Sequence, residues 1–187
     1  MEETKLKEVL RVLNERFEGR LKPHSVAGAV SGPLASVWPG GPEEVQYLAE
    51  VAQRHSVPLA VRGAGMALKA DPPGGILIRF DLMRSTYVTE GEQDYWAEAE
   101  PGALWLTLDN ELRLRGKGLA LYPTSAPRAT VGGWLATDGI GVGSFEYGRL
   151  RENVLYASVV LPGGERREVS GEKLGDVVEP GGSRPSS

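Results

Sequence analysis

The stretch PLAVRGAGMAL, residues 58–68, sets the framework of the fold. Its apolar beginning, residues 58–61, predicts a short buried strand, and glycines at positions 63 and 65 follow at once. Two glycines spaced by one allow backbone N–H groups to converge on an anion, because no Cβ blocks the approach. The same spacing occurs in plain turns, so the motif by itself leaves a tight turn and an anion cradle both open.

A dinucleotide-binding unit of the Rossmann type is not predicted here. That fingerprint needs a third small residue where Leu68 stands, and it needs a long helix directly after the loop. Asp71-Pro72-Pro73 interrupts any such helix.

The flanking residues predict alternating strands and a helix. Residues 35–38 form a candidate strand, and Pro42 followed by Glu43 and Glu44 is typical of a helix N-terminus. This helix is expected to end before residue 57, and residues 76–80 form a further strand. The order strand, helix, strand, loop, strand predicts a parallel sheet with a crossover helix.

The second half of the chain has a different texture. We expect an alternating strand at residues 95–99, a helix opening at Pro101-Gly102, and a hairpin whose strands, 154–161 and 166–169, are joined by Pro162-Gly163-Gly164-Glu165. Residues 2–18 predict an amphipathic helix, which makes residues 1–20 an N-terminal helical segment. Two lobes are expected after it, at about 21–82 and 83–170, followed by a tail at 171–187 that is loop or disorder.

A second glycine- and hydroxyl-rich stretch is TSAPRATVGG, residues 124–133, followed by further glycines at 139, 141, 143 and 148. A Walker A motif would carry Lys after its last Gly, and none follows. Hydroxyls and backbone amides at this density can hold phosphate, although a plain glycine-rich connection has the same composition. Two such loops in one small domain favour a long diphosphate ligand.

Composition excludes several other classes of function. The 187 residues carry 21 Lys and Arg against 25 Asp and Glu, so the net charge is −4 and nucleic acid is not expected as a partner. No Cys is present, which rules out disulfides and thiolate metal sites. No membrane span and no signal peptide are predicted, so the expected compartment is the cytoplasm. Asn and Gln total six, a weak indication of heat adaptation.

Together, four stretches resemble the FAD-binding domain of the vanillyl-alcohol oxidase and p-cresol methylhydroxylase type. They are PEEV at 42–45, VPLAVRGAG at 57–65, ATVGGWLATDGIG at 129–141 with Tyr147-Gly148 after it, and VVLPGGE at 159–165. Among subfamilies the chain looks most like the bacterial glycolate oxidase flavoprotein subunits, which are related to D-2-hydroxyacid dehydrogenases.

The resemblance implies an α+β fold of two lobes, one with a small mostly parallel sheet and the other with a larger antiparallel sheet and helices. FAD would lie extended between the lobes. The cofactor-binding set implied by the matching positions is Arg62, Gly63, Ala64, Gly65, Met66, Ala67 and Leu68 around the pyrophosphate, Thr130, Gly132 and Gly133 toward the flavin, and Pro123, Trp134, Asp138, Gly141, Tyr147 and Gly148 in and around the second loop.

The sequence departs from the family pattern at several points. Met66 stands where Thr or Ser is frequent, and Asp138 stands where Asn is common. Position 64 is Ala and the loop has no His, so we expect FAD to be non-covalent. A later signature and a substrate cap domain are missing, and neither His24 nor His55 lies in a matching loop, so the catalytic residues are unknown.

The leading hypothesis is therefore an FAD-binding subunit of a glycolate oxidase-type oxidoreductase, in which hydride passes from the α-carbon of a 2-hydroxy acid to flavin N5. A partner subunit or further polypeptide would have to complete the site. One alternative is a non-catalytic assembly subunit that keeps the flavoprotein fold, and another is a binder of a different nucleotide diphosphate.

Overall fold

The computed structural model describes residues 2–24, 32–66, 71, 73–91 and 95–174. Its first lobe contains the helices α1 (Glu2–Arg16) and α2 (Pro42–Arg54) and the strands β1 (Leu21–Pro23), β2 (Ala35–Val37), β3 (Leu59–Arg62) and β4 (Ile76–Arg79). The four strands form one sheet in the order β1-β2-β4-β3. Both β2 and β3 run parallel to β4, whereas β1 is antiparallel to β2.

Burial explains why this sheet forms. All three residues of β2 are buried, as are three of the four in β4, which is typical of strands covered on both faces. The helix α2 begins with Pro42 after the extended Gly41, and it buries one apolar stripe. The core of this lobe joins both helices to the sheet and consists of Leu6, Val9, Leu13, Phe17, Leu34, Val37, Leu48, Val51, Ala52, Val57, Ile76 and Ile78.

The second lobe is built from short helices and hairpins. It contains β5 (Thr86–Glu90), β6 (Tyr95–Ala99), α3 (Trp105–Arg113), α4 (Val131–Leu135), α5 (Ser144–Tyr147), a 3₁₀ turn (Leu150–Asn153), β7 (Tyr156–Val160), β8 (Arg166–Ser170) and a last 3₁₀ turn (Gly171–Lys173). A separate core packs around Trp105, Leu108 and Leu112 of α3, with Trp134 against Trp105 in an edge-to-face contact.

The predicted α+β architecture with a mostly parallel first sheet is confirmed. The antiparallel strands of the second lobe, however, form two two-stranded ribbons in the described residues rather than one larger sheet. The strand after residue 58 is also not a buried one: β3 lies at the sheet edge and leaves Val61 60% exposed. An edge strand lacks the second neighbour that would cover its side chains.

Several elements differ from the sequence-based expectation. The strands β1 and β5 and the short helices α4 and α5 were not predicted, and the helix after Pro101-Gly102 begins only at Trp105. Residues 171–173 form a turn rather than loop, and the rest of the predicted tail, 175–187, lies outside the described residues. Over the chain that the structure describes, the helices are too short or too polar to cross a membrane.

Candidate functional site

The first glycine loop leaves the sheet at the carboxyl end of β3. Gly63 is half-buried, whereas Ala64, Gly65 and Met66 are exposed, and Gly65 adopts φ +73°. In the part of the chain that the structure describes, the N–H groups of residues 63–66 donate no hydrogen bond. Within the described chain, four consecutive backbone donors are therefore without an acceptor at the end of a parallel strand, where open α/β sheets bind their ligands. Ala67 and Leu68, also predicted for this site, lie outside the described residues.

Arg62 is the last residue of β3, and its side chain forms an ion pair beside the loop. Its Nη2 donates to Oδ1 of Asp71 at 2.5 Å, and both side chains are roughly one-third exposed. This ion pair links the two ends of the loop, so the guanidinium restrains the loop in addition to adding positive charge beside it. The pairing of Arg62 with Asp71 was not predicted, because the spacing of two residues along the chain does not show that their side chains meet.

The second predicted segment begins at the N-terminus of α4. Thr130 is the N-cap, and its Oγ1 accepts a hydrogen bond from the N–H of Gly133 at 3.2 Å. The neighbouring donors are also engaged, because the N–H of Val131 donates to Ala103 O at 2.8 Å and that of Gly132 to Pro101 O at 3.0 Å. The N–H groups of residues 131–133 at the start of α4 thus all donate hydrogen bonds within the protein, unlike those of residues 63–66.

The structure brings the two segments into direct contact. A Cβ built on Gly63 would overlap Oγ1 of Thr130 and would lie 3.6 Å from the Cα of Gly133. A Cβ on Gly133 would come within 2.6 Å of the same hydroxyl. Packing against the second lobe is therefore by itself a reason for glycine at position 63.

Gly132 has a packing role of the same kind. A Cβ there would lie 2.7 Å from Cβ and 2.9 Å from Cα of Pro101. The next residue, Gly102, packs against the carbonyl of Phe80 in the first lobe. Residues 101 and 102 therefore lie where the two lobes meet. Pro123 is buried and opens the turn that leads to Thr130, with its carbonyl accepting from Ala126 at 2.9 Å.

Asp138 follows α4 with φ +47°, a left-handed conformation that is uncommon outside glycine and that Asp and Asn adopt more readily than other residues. Its Oδ2 pairs with Nη1 of Arg149 at 2.9 Å and of Arg151 at 3.5 Å. Its Oδ1 is enclosed and makes no hydrogen bond. The carboxylate is therefore oriented by the 3₁₀ turn, a pairing that the spacing of residues in the sequence did not reveal.

The last predicted residues organise the loop after Asp138. Gly141 packs against the carbonyl of Tyr122 and the ring of Trp134, and its N–H donates to Oγ of Ser144 at 3.0 Å. Gly148 adopts φ +77° beside Glu152. Tyr147 is exposed, and the Glu146 carboxylate raises the pKa of its phenol. These residues connect to the first loop through α4.

Both histidines lie away from this junction. His24 follows β1, donates its N–H to Leu34 O and pairs its ring with Oγ of Ser36, and His55 precedes β3. Both positions are at the amino ends of the parallel strands, opposite to the loop at residues 63–66. No cluster of residues suited to a metal ion occurs within the described chain.

Known proteins are similar to most of this chain. The FAD binding domain family matches residues 33–170. A mitochondrial D-lactate dehydrogenase (cytochrome) of Arabidopsis thaliana is 32% identical over 155 residues, covering 81% of this chain and 27% of that protein. A D-lactate dehydrogenase of Archaeoglobus fulgidus is 31% identical, and the match covers 81% of this chain and 34% of that protein. The glycolate oxidase subunit GlcD of Bacillus subtilis is 26% identical, and the match covers 79% of this chain and 32% of that protein. The chain spans about a third of the length of these curated relatives.

Solved structures agree on the fold. An alkyldihydroxyacetonephosphate synthase superposes with a TM-score of 0.72 at 23% identity, covering 88% of this chain and 38% of that one. The 4-ethylphenol oxidase of Gulosibacter chungangensis also gives 0.72 at 20% identity, covering 88% and 35%. Because the family match spans both glycine segments, the chain belongs to the FAD binding domain family.

Proposed function

We propose that the chain holds FAD non-covalently at the junction of its lobes and forms the cofactor-binding part of a 2-hydroxyacid oxidoreductase. The observation that carries this proposal is the row of N–H groups at residues 63–66, at the carboxyl end of β3, none of which donates a hydrogen bond within the described residues. Backbone donors converging at such an edge suit an anionic diphosphate. No acidic side chain stands within this row, so the residues present fit the pyrophosphate of FAD.

The remaining predicted residues would act in three ways. Arg62 holds the ends of the pyrophosphate loop through Asp71. Thr130 and Gly133 would support the loop from the second lobe, through their contact with Gly63. Gly132 and Trp134 would hold α4 in place by packing against Pro101 and Trp105, and Pro123 opens the turn before it. Asp138, Gly141, Tyr147 and Gly148 would complete the second loop beyond α4.

Non-covalent attachment follows from the side chains available. Flavin is not tethered by thiols here, because the chain has no Cys. Its two histidines stand at the opposite end of the parallel strands from the loop. We therefore expect the isoalloxazine to be held by packing and hydrogen bonds alone.

The proposed reaction is the oxidation of a small 2-hydroxy acid. The relatives named as D-lactate dehydrogenases and as a glycolate oxidase subunit support this substrate class. When bound, the flavin would accept at N5 the hydride from the substrate α-carbon. This chain's residues would bind and orient the cofactor, whereas the base and the carboxylate-binding groups would come from a partner subunit or from further polypeptide.

A reduction experiment tests this division of labour. The chain is loaded with FAD, freed of excess cofactor and mixed anaerobically with glycolate or with D- or L-lactate. We expect photoreduction to bleach the flavin band and the 2-hydroxy acids alone to bleach it weakly or not at all. Complexes purified through a tag on this chain from its own cells should reduce a dye when a 2-hydroxy acid is added. Fast turnover by the isolated chain, or complexes inactive with every 2-hydroxy acid, would contradict the proposal.

A second candidate function is a non-catalytic assembly subunit that retains the fold. Two departures favour it: Met66 is 50% exposed at a position where the family often has a hydroxyl, and the Asp138 carboxylate is already engaged by two arginines. This function predicts a folded chain that copurifies with a flavoprotein but keeps no FAD of its own after desalting.

A further inference from the structure

One side chain of the second lobe contacts both glycine segments. The Oγ1 of Thr130 occupies the space where a Cβ on Gly63 would stand, and it lies 2.6 Å from the place of a Cβ on Gly133. Without that oxygen, the nearest atoms to a Cβ at position 63 would be 3.5 Å away or farther, and those to a Cβ at position 133 about 4.0 Å away. A single hydroxyl thus accounts for glycine at both positions.

This hydroxyl cannot easily move aside. Thr130 is only 8% exposed, its side chain is branched at Cβ, and Oγ1 accepts the Gly133 N–H as the cap of α4. The backbone of the same turn is held by the carbonyls of Ala103 and Pro101. An added methyl on either glycine would therefore displace backbone rather than a flexible side-chain end.

We propose that Thr130 is a positioning residue, whose hydroxyl sets the position of the first glycine loop against the second lobe and thereby the position of the loop amides. Its effect on the cofactor is transmitted through Gly63 and does not need contact with FAD. The inference rests on the proposed FAD role of residues 63–66, because it explains what keeps those N–H groups where a diphosphate can meet them.

The consequence is an energetic coupling between two residues far apart in sequence. Gly63→Ala should weaken FAD binding by about tenfold or more, because the new methyl pushes the loop away from the hydroxyl. Thr130→Ala removes the hydroxyl and should restore most of that affinity in the double variant. Thr130→Ser keeps the hydroxyl and the helix cap, so it should restore nothing. Gly133→Ala should follow the same pattern in the same backgrounds.

A double-mutant cycle with two readouts tests the proposal. FAD dissociation constants and apo-protein unfolding midpoints are measured for the wild type, each single variant, Gly63→Ala/Thr130→Ala and Gly63→Ala/Thr130→Ser. Rescue of affinity by Ala but not by Ser at position 130 would support the positioning role. The proposal would be overturned if Gly63→Ala lowered FAD affinity equally with Thr, Ala or Ser at position 130. A Gly63→Ala variant that binds FAD like the wild type would also overturn it.

The controls separate this inference from the proposed function. If the wild-type chain binds no FAD, the cofactor proposal fails, but the cycle of unfolding midpoints still decides whether Thr130 and Gly63 are coupled. If Gly63→Ala does not fold, Gly133→Ala with and without Thr130→Ala supplies the cycle. A change in midpoint with no change in affinity would make Thr130 merely structural and would overturn the positioning role.

Discussion

The substitution Gly132→Ala probes the contact of α4 with Pro101, beside the junction of the lobes. The added methyl would lie 2.7 Å from Cβ, 2.9 Å from Cα and 3.0 Å from the carbonyl oxygen of Pro101. None of these atoms belongs to a flexible side-chain end, since the pyrrolidine ring fixes the proline and its carbonyl accepts the Gly132 N–H. Either α4 or residue 101 must shift.

The expected loss of stability is the difference between two opposing effects. Overpacking of this kind costs about 3 kcal/mol, at the upper end of the usual range, because backbone must move. Replacing Gly by Ala inside a helix returns about 1 kcal/mol. The net destabilisation of about 2 kcal/mol corresponds to a decrease of roughly 4–8 °C in Tm for a chain of this size.

Thermal and urea unfolding of the apo chain measure this effect, with Gly118→Ala as the matched control. A Cβ at Gly118 would meet no atom within 4 Å, and the residue is exposed. The control should therefore change the unfolding free energy by no more than about 0.5 kcal/mol, in either direction. A Gly132→Ala variant that unfolds together with the control would refute the packing role assigned to Gly132.

Three further predictions concern charge, conformation and attachment. Glu44 accepts two hydrogen bonds from Arg20, at 2.6 and 2.7 Å, which lower the pKa of its carboxyl. Glu44→Gln should therefore lower the free energy of unfolding by about 1 kcal/mol at pH values above the ordinary glutamate pKa, and by nothing at acid pH, where the wild-type carboxyl is protonated too. Urea midpoints measured against pH test this, with the exposed Glu15→Gln as control. A difference between Glu44→Gln and the wild type that does not change with pH would contradict it. Asp138→Asn should be more stable than Asp138→Ala by about 1 kcal/mol, because Asn tolerates φ +47° and Ala does not; equal Tm values would contradict this reason. Acid precipitation of the FAD-loaded chain should release all flavin to the supernatant, and a coloured pellet would show a covalent bond.

Much of the first lobe could be predicted because its local signals agree with its tertiary structure. Apolar runs at β2 and β4 become buried parallel strands, and Pro42 with two acids begins α2. The edge strand β1 has only three residues and no periodicity to detect. The exposure of β3 depends on strand order, which residue spacing along the chain does not determine.

The second lobe shows why the rest was missed. The helix α4 contains Gly132-Gly133, which lowers helix propensity, and it forms because Thr130 caps it and two carbonyls of residues 101 and 103 hold its first turn. The cofactor-binding role of the glycines stays a prediction. The structure adds a packing reason for Gly63, Gly132 and Gly133, because Thr130 and Pro101 leave no room for a Cβ there, and residue spacing could not reveal these contacts.

The most direct test of the central claim is the visible absorption spectrum of the purified chain after incubation with FAD and desalting. The geometry of residues 63–66 predicts that the chain retains about one FAD, and that Gly65→Ala retains less because φ +73° disfavours any side chain there. A colourless wild-type chain that unfolds cooperatively would contradict FAD binding by this loop and would favour the assembly subunit.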